Sequence, residues 1–128
     1  MVIEPSALVA ILEQEADLLR RLATAGARRI SAATVPETAI ALEARSGERG
    51  GEQLDLFLAR AQIEVAPVTA EQVRVARRAR RRYGNGSGHA ARLNFGDGFS
   101  YALAQSLGKD LLDKGVELAH PDVERGPV

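Results

Sequence analysis

The chain has 128 residues, enough to bury one sizeable core and too few for two ordinary domains. Its 17 basic and 17 acidic residues cancel to a formal charge of +0, which excludes a molecule that binds polyanions over its whole surface and leaves nucleic-acid contact to local asymmetry. Cysteine is absent, which excludes disulfides and thiolate zinc sites, and no apolar run approaches the roughly 18 residues of a membrane span.

No basic stretch precedes the first apolar residues, as it would in a secretory leader. The expectation is one soluble, cytoplasmic domain over residues 1–128, without membrane contact, and with a polar tail that frays from about residue 121.

Met1 to Ile3 are apolar and run into Glu4, Pro5 and Ser6, the pattern of a short buried strand that feeds a helix continuing through Ala7 to Leu12. Ala16 to Ala25 carry Leu18, Leu19, Leu22 and Ala23 at helical spacing and stop at Gly26, which reads as the terminator. Arg28 and Arg29 with Ile30 to Ala32 predict a second strand. Thr34, with Glu37 three residues on, has the form of a capping box opening a helix through Ala44 that ends near Gly47.

Gly47 to Gly51 read as a glycine-rich, charged loop, followed by a helix marked by Leu54, Leu56, Phe57, Leu58 and Ala61. Ile63, Val65 and Val68 alternate as a strand does. Thr69 with Gln72 repeats the capping-box pattern ahead of a helix from Ala70 to about Tyr83, which carries Val73, Val75, Ala76 and Ala79. Gly84 to Gly88 predict a loop. The last helix starts at Asn94 or Asp97, sets Phe99, Ala102, Leu103 and Leu107 on its apolar face, and ends at Gly108; Leu111 and Leu112 form the final strand. Strands alternating with helices imply right-handed crossovers and an α/β fold, with a mostly parallel central sheet flanked by helices on both faces.

A parallel sheet gathers its strand ends at one edge, where open α/β folds place ligands. Glu4, Glu37, Asp97 and Glu117 all stand at element ends and can converge there. Carboxylates without cysteine are hard oxygen ligands, suited to magnesium or manganese, and a cluster of them is reasonable only when a cation offsets its repulsion. The chemistry this favours is metal-assisted phosphodiester hydrolysis. Each acid also has a plain structural reading: Glu37 as the partner of Thr34 in a cap, Asp97 as a helix cap, Glu117 as a solvated loop charge.

Four segments carry a resemblance. Val-Ile-Glu-Pro-Ser-Ala-Leu-Val-Ala-Ile-Leu from Val2, Ser-Ala-Ala-Thr-Val-Pro-Glu-Thr-Ala from Ser31, Gly-Gly-Glu-Gln-Leu-Asp-Leu-Phe-Leu from Gly50 and Leu-Asn-Phe-Gly-Asp-Gly-Phe-Ser-Tyr-Ala-Leu-Ala from Leu93 resemble, in order, the PIN domain and more narrowly the VapC toxins of bacterial toxin-antitoxin pairs. The resemblance implies a three-layer PIN-like fold and an endoribonuclease that uses Mg2+ or Mn2+, forms a homodimer and is silenced by a VapB-like antitoxin. It assigns Glu4, Glu37, Asp97 and Glu117 as the catalytic acids, with Glu4, Asp97 and Glu117 on the metal, and Ser6 and Asn94 in support.

The chain departs from the family pattern at two places. Glu4-Pro5-Ser6 stands where the family usually has Asp-Thr-Ser, and Lys114-Gly115-Val116-Glu117-Leu118 where it usually has Lys-Gly-Asp-Asp-Phe. Each Glu sets its carboxylate farther out by about one carbon-carbon bond, while magnesium tolerates little distortion of its octahedron. These departures motivate a second reading, a PIN-like module that binds RNA or an antitoxin without cutting. Phosphoacceptor signalling on a doubly wound sheet is a third, resting on Asp97 and Lys114 near strand ends.

Arg74, Arg77, Arg78, Arg80, Arg81 and Arg82 crowd one helix, and Arg92 follows the glycine loop. Arg77, Arg80, Arg81 and Lys114 are the candidate RNA contacts, against the alternative of a solvated helix face. Ser6 reads as a helix cap that orients Glu4 rather than as a nucleophile, and His89 and His120 read as surface residues.

Overall fold

The computed structural model describes residues 1–83 and 95–112. Its elements run β1 (Val2–Ile3), α1 (Pro5–Leu12), α2 (Ala16–Ala23), β2 (Arg28–Ser31), a 3-10 turn (Ala32–Thr34), α3 (Val35–Ser46), α4 (Glu48–Arg60), β3 (Ile63–Ala66), α5 (Ala70–Tyr83), α6 (Phe95–Leu107) and β4 (Leu111–Leu112). The four described strands are all parallel, in the order β3-β2-β1-β4. The expected mostly parallel α/β sheet is therefore present.

Strand alternation divides the core in two. Ile3, Ile30, Ile63 and Leu112 face the helices α1 to α4, packing with Leu8, Leu18, Leu42 and Leu54. Val2, Ala66 and Leu111 point the other way, toward Val75 and Ala79 of α5 and Tyr101, Leu103 and Ala104 of α6. Helices thus cover both faces, giving three layers. The chain steps outward from β1 to β2 to β3, then returns over the opposite face to place β4 on the other side of β1. Strand order reverses between β1 and β4, and the crevice beyond their C-terminal ends is the ligand position of such sheets.

Several local expectations give way to packing. The segment 47–51 is not a loop: only Gly47, at φ +64°, separates α3 from α4, whose first turn holds Gly50 and Gly51. Glycine is needed there for close approach, because a Cβ on Gly50 would lie 2.5 Å from the Leu42 carbonyl carbon and oxygen. The second helix ends at Ala23 rather than at Gly26, since Thr24 closes it by donating its backbone N–H to Arg20 and its hydroxyl to the Arg21 carbonyl. In β3, Val65 is exposed despite its alternation with Ile63, because this strand is the open edge of the sheet. Leu107 is likewise exposed at the end of α6, outside the buried stripe of Ala102 and Leu103.

Two sequence signals hold. Thr69 accepts a hydrogen bond from the Gln72 backbone N–H at 3.1 Å, capping α5, and Gly108 ends α6 with φ +62°. The Gly84–Gly88 segment and the tail from residue 121 lie outside the described residues.

The contact at Gly50 gives a paired test. Gly50→Ala must push the α3 and α4 backbones apart and should lower stability by about 2 kcal/mol in urea denaturation. Gly51→Ala meets only the mobile carboxylate of Glu43 and removes a helix glycine, so it should be neutral or stabilising by up to about 1 kcal/mol. Equal stability of the two variants would contradict the close helix approach.

Candidate active site

Glu4 follows β1 directly and serves as the N-cap of α1, with extended backbone angles of φ −86° and ψ 146°. Its backbone N–H donates to the Leu112 carbonyl at 2.9 Å, tying it to the end of β4. Its side chain folds back on its own helix: Oε2 accepts the Ser6 backbone N–H at 2.9 Å and the Ser6 hydroxyl. Ser6 thus orients Glu4 as expected, but the cap is the glutamate, not the serine. The extra methylene relative to aspartate is taken up in this curl.

Asp97 lies in the first turn of α6 and reaches the same place from the opposite face of the sheet. Glu4 and Asp97 are only 3% and 6% exposed, and their carboxyls share a hydrogen bond. Burial, that hydrogen bond and the Asp97 charge together push Glu4 up to about 8, against the weaker opposing pull of the Ser6 bonds. Without a cation Glu4 therefore holds a proton at neutral pH.

Glu37 comes from the first turn of α3. The capping box expected of Thr34 does not form, because the 3-10 turn runs straight into α3 and gives Thr34 helical angles. The Thr34 hydroxyl donates instead to the Ser31 carbonyl at 2.9 Å, and Ser31 caps the turn by accepting from the Ala33 N–H. The Glu37 carboxylate lies against the start of α6, where a Cβ on Gly96 would overlap its Oε1. It is more exposed than the other two, and partial desolvation and the Asp97 charge raise its pKa.

Three acids from the starts of α1, α3 and α6 are thus brought to one end of the sheet. Gly96 is the residue that sequence reasoning passed over: any side chain there would expel Glu37. Its signal was a glycine on each side of an acid at the opening of a helix. Ser100, one turn beyond Asp97, is fully buried with an unpartnered hydroxyl, and nothing in its spacing marked it. Glu117, Asn94, Lys114 and Val116 lie outside the described residues, as do His89, His120 and Arg92. Arg77, Arg80 and Arg81 are exposed on α5.

Among the described residues no three His, Cys, Asp or Glu side chains stand close enough to hold an ion. The donor set still fits a hard cation. Magnesium is commonly held by only one or two carboxylates, with water and substrate phosphate completing its shell. The Glu4–Asp97 pair supplies two, and no basic side chain contributes to the raised pKa of Glu4 or Glu37.

The sequence profile of the PIN domain matches residues 1–122. The chain belongs to the PIN-domain family. This PIN domain is 51% identical over 126 residues to a protein named ribonuclease VapC of Mycolicibacterium smegmatis, covering 96% of this chain and 97% of that one. It is 48% identical to ribonuclease VapC30 of Mycobacterium tuberculosis, over 96% of this chain and 95% of that one. A VapC ribonuclease of Mycobacterium bovis, Mb0625, is 42% identical over 128 residues.

The raised Glu4 pKa has a thermodynamic consequence. Glu4 ionises near its ordinary value of 4.5 when the PIN domain unfolds and near 8 when it is folded. Its contribution to stability is complete below the lower value and is lost as pH rises through the upper one. In EDTA, Glu4→Gln should match the parent near pH 4 and exceed its Tm at pH 8.5 by at least about 5 °C. A constant difference across that range would show that Glu4 is not held protonated.

Proposed function

We propose that this PIN domain is a metal-dependent endoribonuclease of the toxin type that hydrolyses RNA phosphodiester bonds. The observation that carries the reading is the buried Glu4–Asp97 carboxyl pair at the point of the parallel sheet where strand order reverses. The ribonuclease names of relatives that match nearly the whole chain support it.

Glu4 and Asp97, with Glu117 as the expected third ligand, would hold a divalent ion, proposed to be Mg2+ or Mn2+. When bound, such an ion activates a water and stabilises the departing oxygen. Around it, the chain's own residues divide the remaining work. Ser6 fixes Oε2 of Glu4, so that the carboxylate turns little when it gives up its proton. Glu37, raised in pKa and accessible, is placed to take a proton from the attacking water. Asn94 and Lys114 complete the proposed set. The exposed Arg77, Arg80 and Arg81 draw RNA by long-range attraction.

A small VapB-like antitoxin is the proposed partner, blocking the crevice with a basic side chain among the acids. Ile40 and Leu56 are large apolar side chains left 68% and 49% exposed, and they offer surface for that antitoxin or for a second copy of the chain in a homodimer. Among the described residues no helix is long and apolar enough to cross a membrane. Cytoplasmic action on cellular RNA follows from the proposed substrate.

A second reading, a PIN domain that binds without cutting, is favoured by one feature: Glu4 is curled onto Ser6 and neutral at pH 7 when no cation is bound. Cleavage decides between them. Antitoxin-free protein incubated with total RNA and Mn2+ should cut it, and both EDTA and Asp97→Asn should reduce cleavage to background while the variant keeps its circular dichroism spectrum. Undiminished cleavage by Asp97→Asn would remove the pair from the mechanism, and intact RNA with the unaltered protein would leave the binding reading.

A further inference from the structure

Among the described residues, six from α5 and α6 line a groove of about 250 Å3: Val75, Arg78, Ala79 and Arg82 on one wall, Tyr101 and Gln105 on the other. The first four recur at helical spacing, so Val75 and Ala79 set an apolar stripe beside Arg78 and Arg82, which stand one turn apart. On α6, Gln105 follows Tyr101 by one turn, and Tyr101 follows Asp97 by one turn. At 1.5 Å per residue the groove extends about 6 to 12 Å along the helix from the acid. Gly98 lets the two helices meet beside it, its Cα so near Ala76 that a Cβ would stand 3.2 Å from that carbonyl oxygen.

We infer that this groove is a nucleotide subsite that holds one unstacked residue of a single-stranded RNA next to the phosphodiester at the acid pair. The inference rests on the ribonuclease reading and names how that site selects its substrate. At about 250 Å3 the groove has room for no more than one nucleotide, with part of it left in solvent. Arg78 and Arg82 present planar donor forks to phosphate, or a stacking plane to a base. Gln105 offers both a donor and an acceptor to a base edge, and the Tyr101 ring supplies an aromatic wall.

The groove distinguishes these two arginines from the rest of the helix by position: Arg74, Arg77, Arg80 and Arg81 line no part of it. An acidic peptide would be drawn to the same guanidiniums, but its next carboxylates would run toward Asp97 with no cation to offset them. A nucleic-acid strand satisfies the whole stripe, since its scissile phosphate reaches the acids together with a cation.

The test is binding of a fluorescently labelled single-stranded RNA oligonucleotide in EDTA, read by anisotropy across a salt series, so that no cleavage is needed. Arg78→Gln/Arg82→Gln should weaken binding at least about tenfold and flatten the log-log salt slope by about 1.4, two contacts at about 0.7 each. Arg77→Gln/Arg80→Gln removes the same charge outside the groove and should cost less than about threefold near physiological salt, where screening acts over about 8 Å. Gln105→Ala should weaken binding without changing the slope.

Equal losses in the two double variants would overturn the subsite in favour of diffuse surface charge. Inorganic polyphosphate competing as well as RNA per phosphate would overturn the base contact, and polyglutamate competing better than RNA would assign the groove to an acidic protein segment. Cleavage with Mn2+ is scored separately. RNA that binds in the groove but is never cut refutes the ribonuclease reading alone, and RNA that is cut with no preference between the double variants refutes the subsite alone.

Discussion

The contact on which the rest of the molecule turns is the hydrogen bond between the buried carboxyls of Glu4 and Asp97. Glu4 joins four elements at once: its backbone continues β1 and bonds to β4, its side chain caps α1, and its carboxyl meets α6. Two acids in such contact repel when both are ionised, and burial deepens the cost by stripping water from them. The fold tolerates them because Glu4 keeps its proton. On the proposed reading, a divalent cation taking the place of that proton would convert a destabilising pair into a ligand set and link the stability of the sheet edge to its chemistry.

The topology explains why this happens at this one place. Crossovers α1 to α4 lie on one face and α5 with α6 on the other, and among the described residues the acids of both layers meet in the crevice beyond β1 and β4. Glu4 arrives from the strand itself, Glu37 from the first layer and Asp97 from the second. Each stands at the start of a helix, where the positive end of the helix dipole partly supports an anion. For Glu4 that support is smaller than the burial penalty. For the more accessible Glu37 the upward shift comes from partial desolvation and the neighbouring Asp97 charge.

Much of this was legible in the residues. The alternation of short apolar runs with helical periods implied the parallel sheet, and acids at element ends implied where they would meet. Hidden were the features that depend on two elements touching. Gly50 and Gly51 look like loop residues in isolation, and only contact with the Leu42 backbone makes a glycine necessary inside a helix. Thr34 and Glu37 have the letters of a capping box, and the 3-10 turn ahead of them removes the geometry, whereas Thr69 keeps the N-cap half of its box because an irregular segment precedes α5, with the Gln72 side-chain oxygen left without a partner. Among the arginines, the sequence pointed to Arg77, Arg80 and Arg81, whereas the groove beside α6 is lined by Arg78 and Arg82, in a stripe with Val75 and Ala79 that is present in the sequence but stands out only against that second helix.

The central claim is that the proton held between Glu4 and Asp97 occupies the place of a cation. Calorimetric titration of Mn2+ into metal-free protein at pH 7, in two buffers with different ionisation heats, counts the protons displaced per ion. Because Glu4 keeps its proton up to about pH 8, binding should release about one proton, and Glu4→Gln should abolish that release. Identical binding heats in the two buffers, with unchanged affinity in Glu4→Gln, would contradict the account.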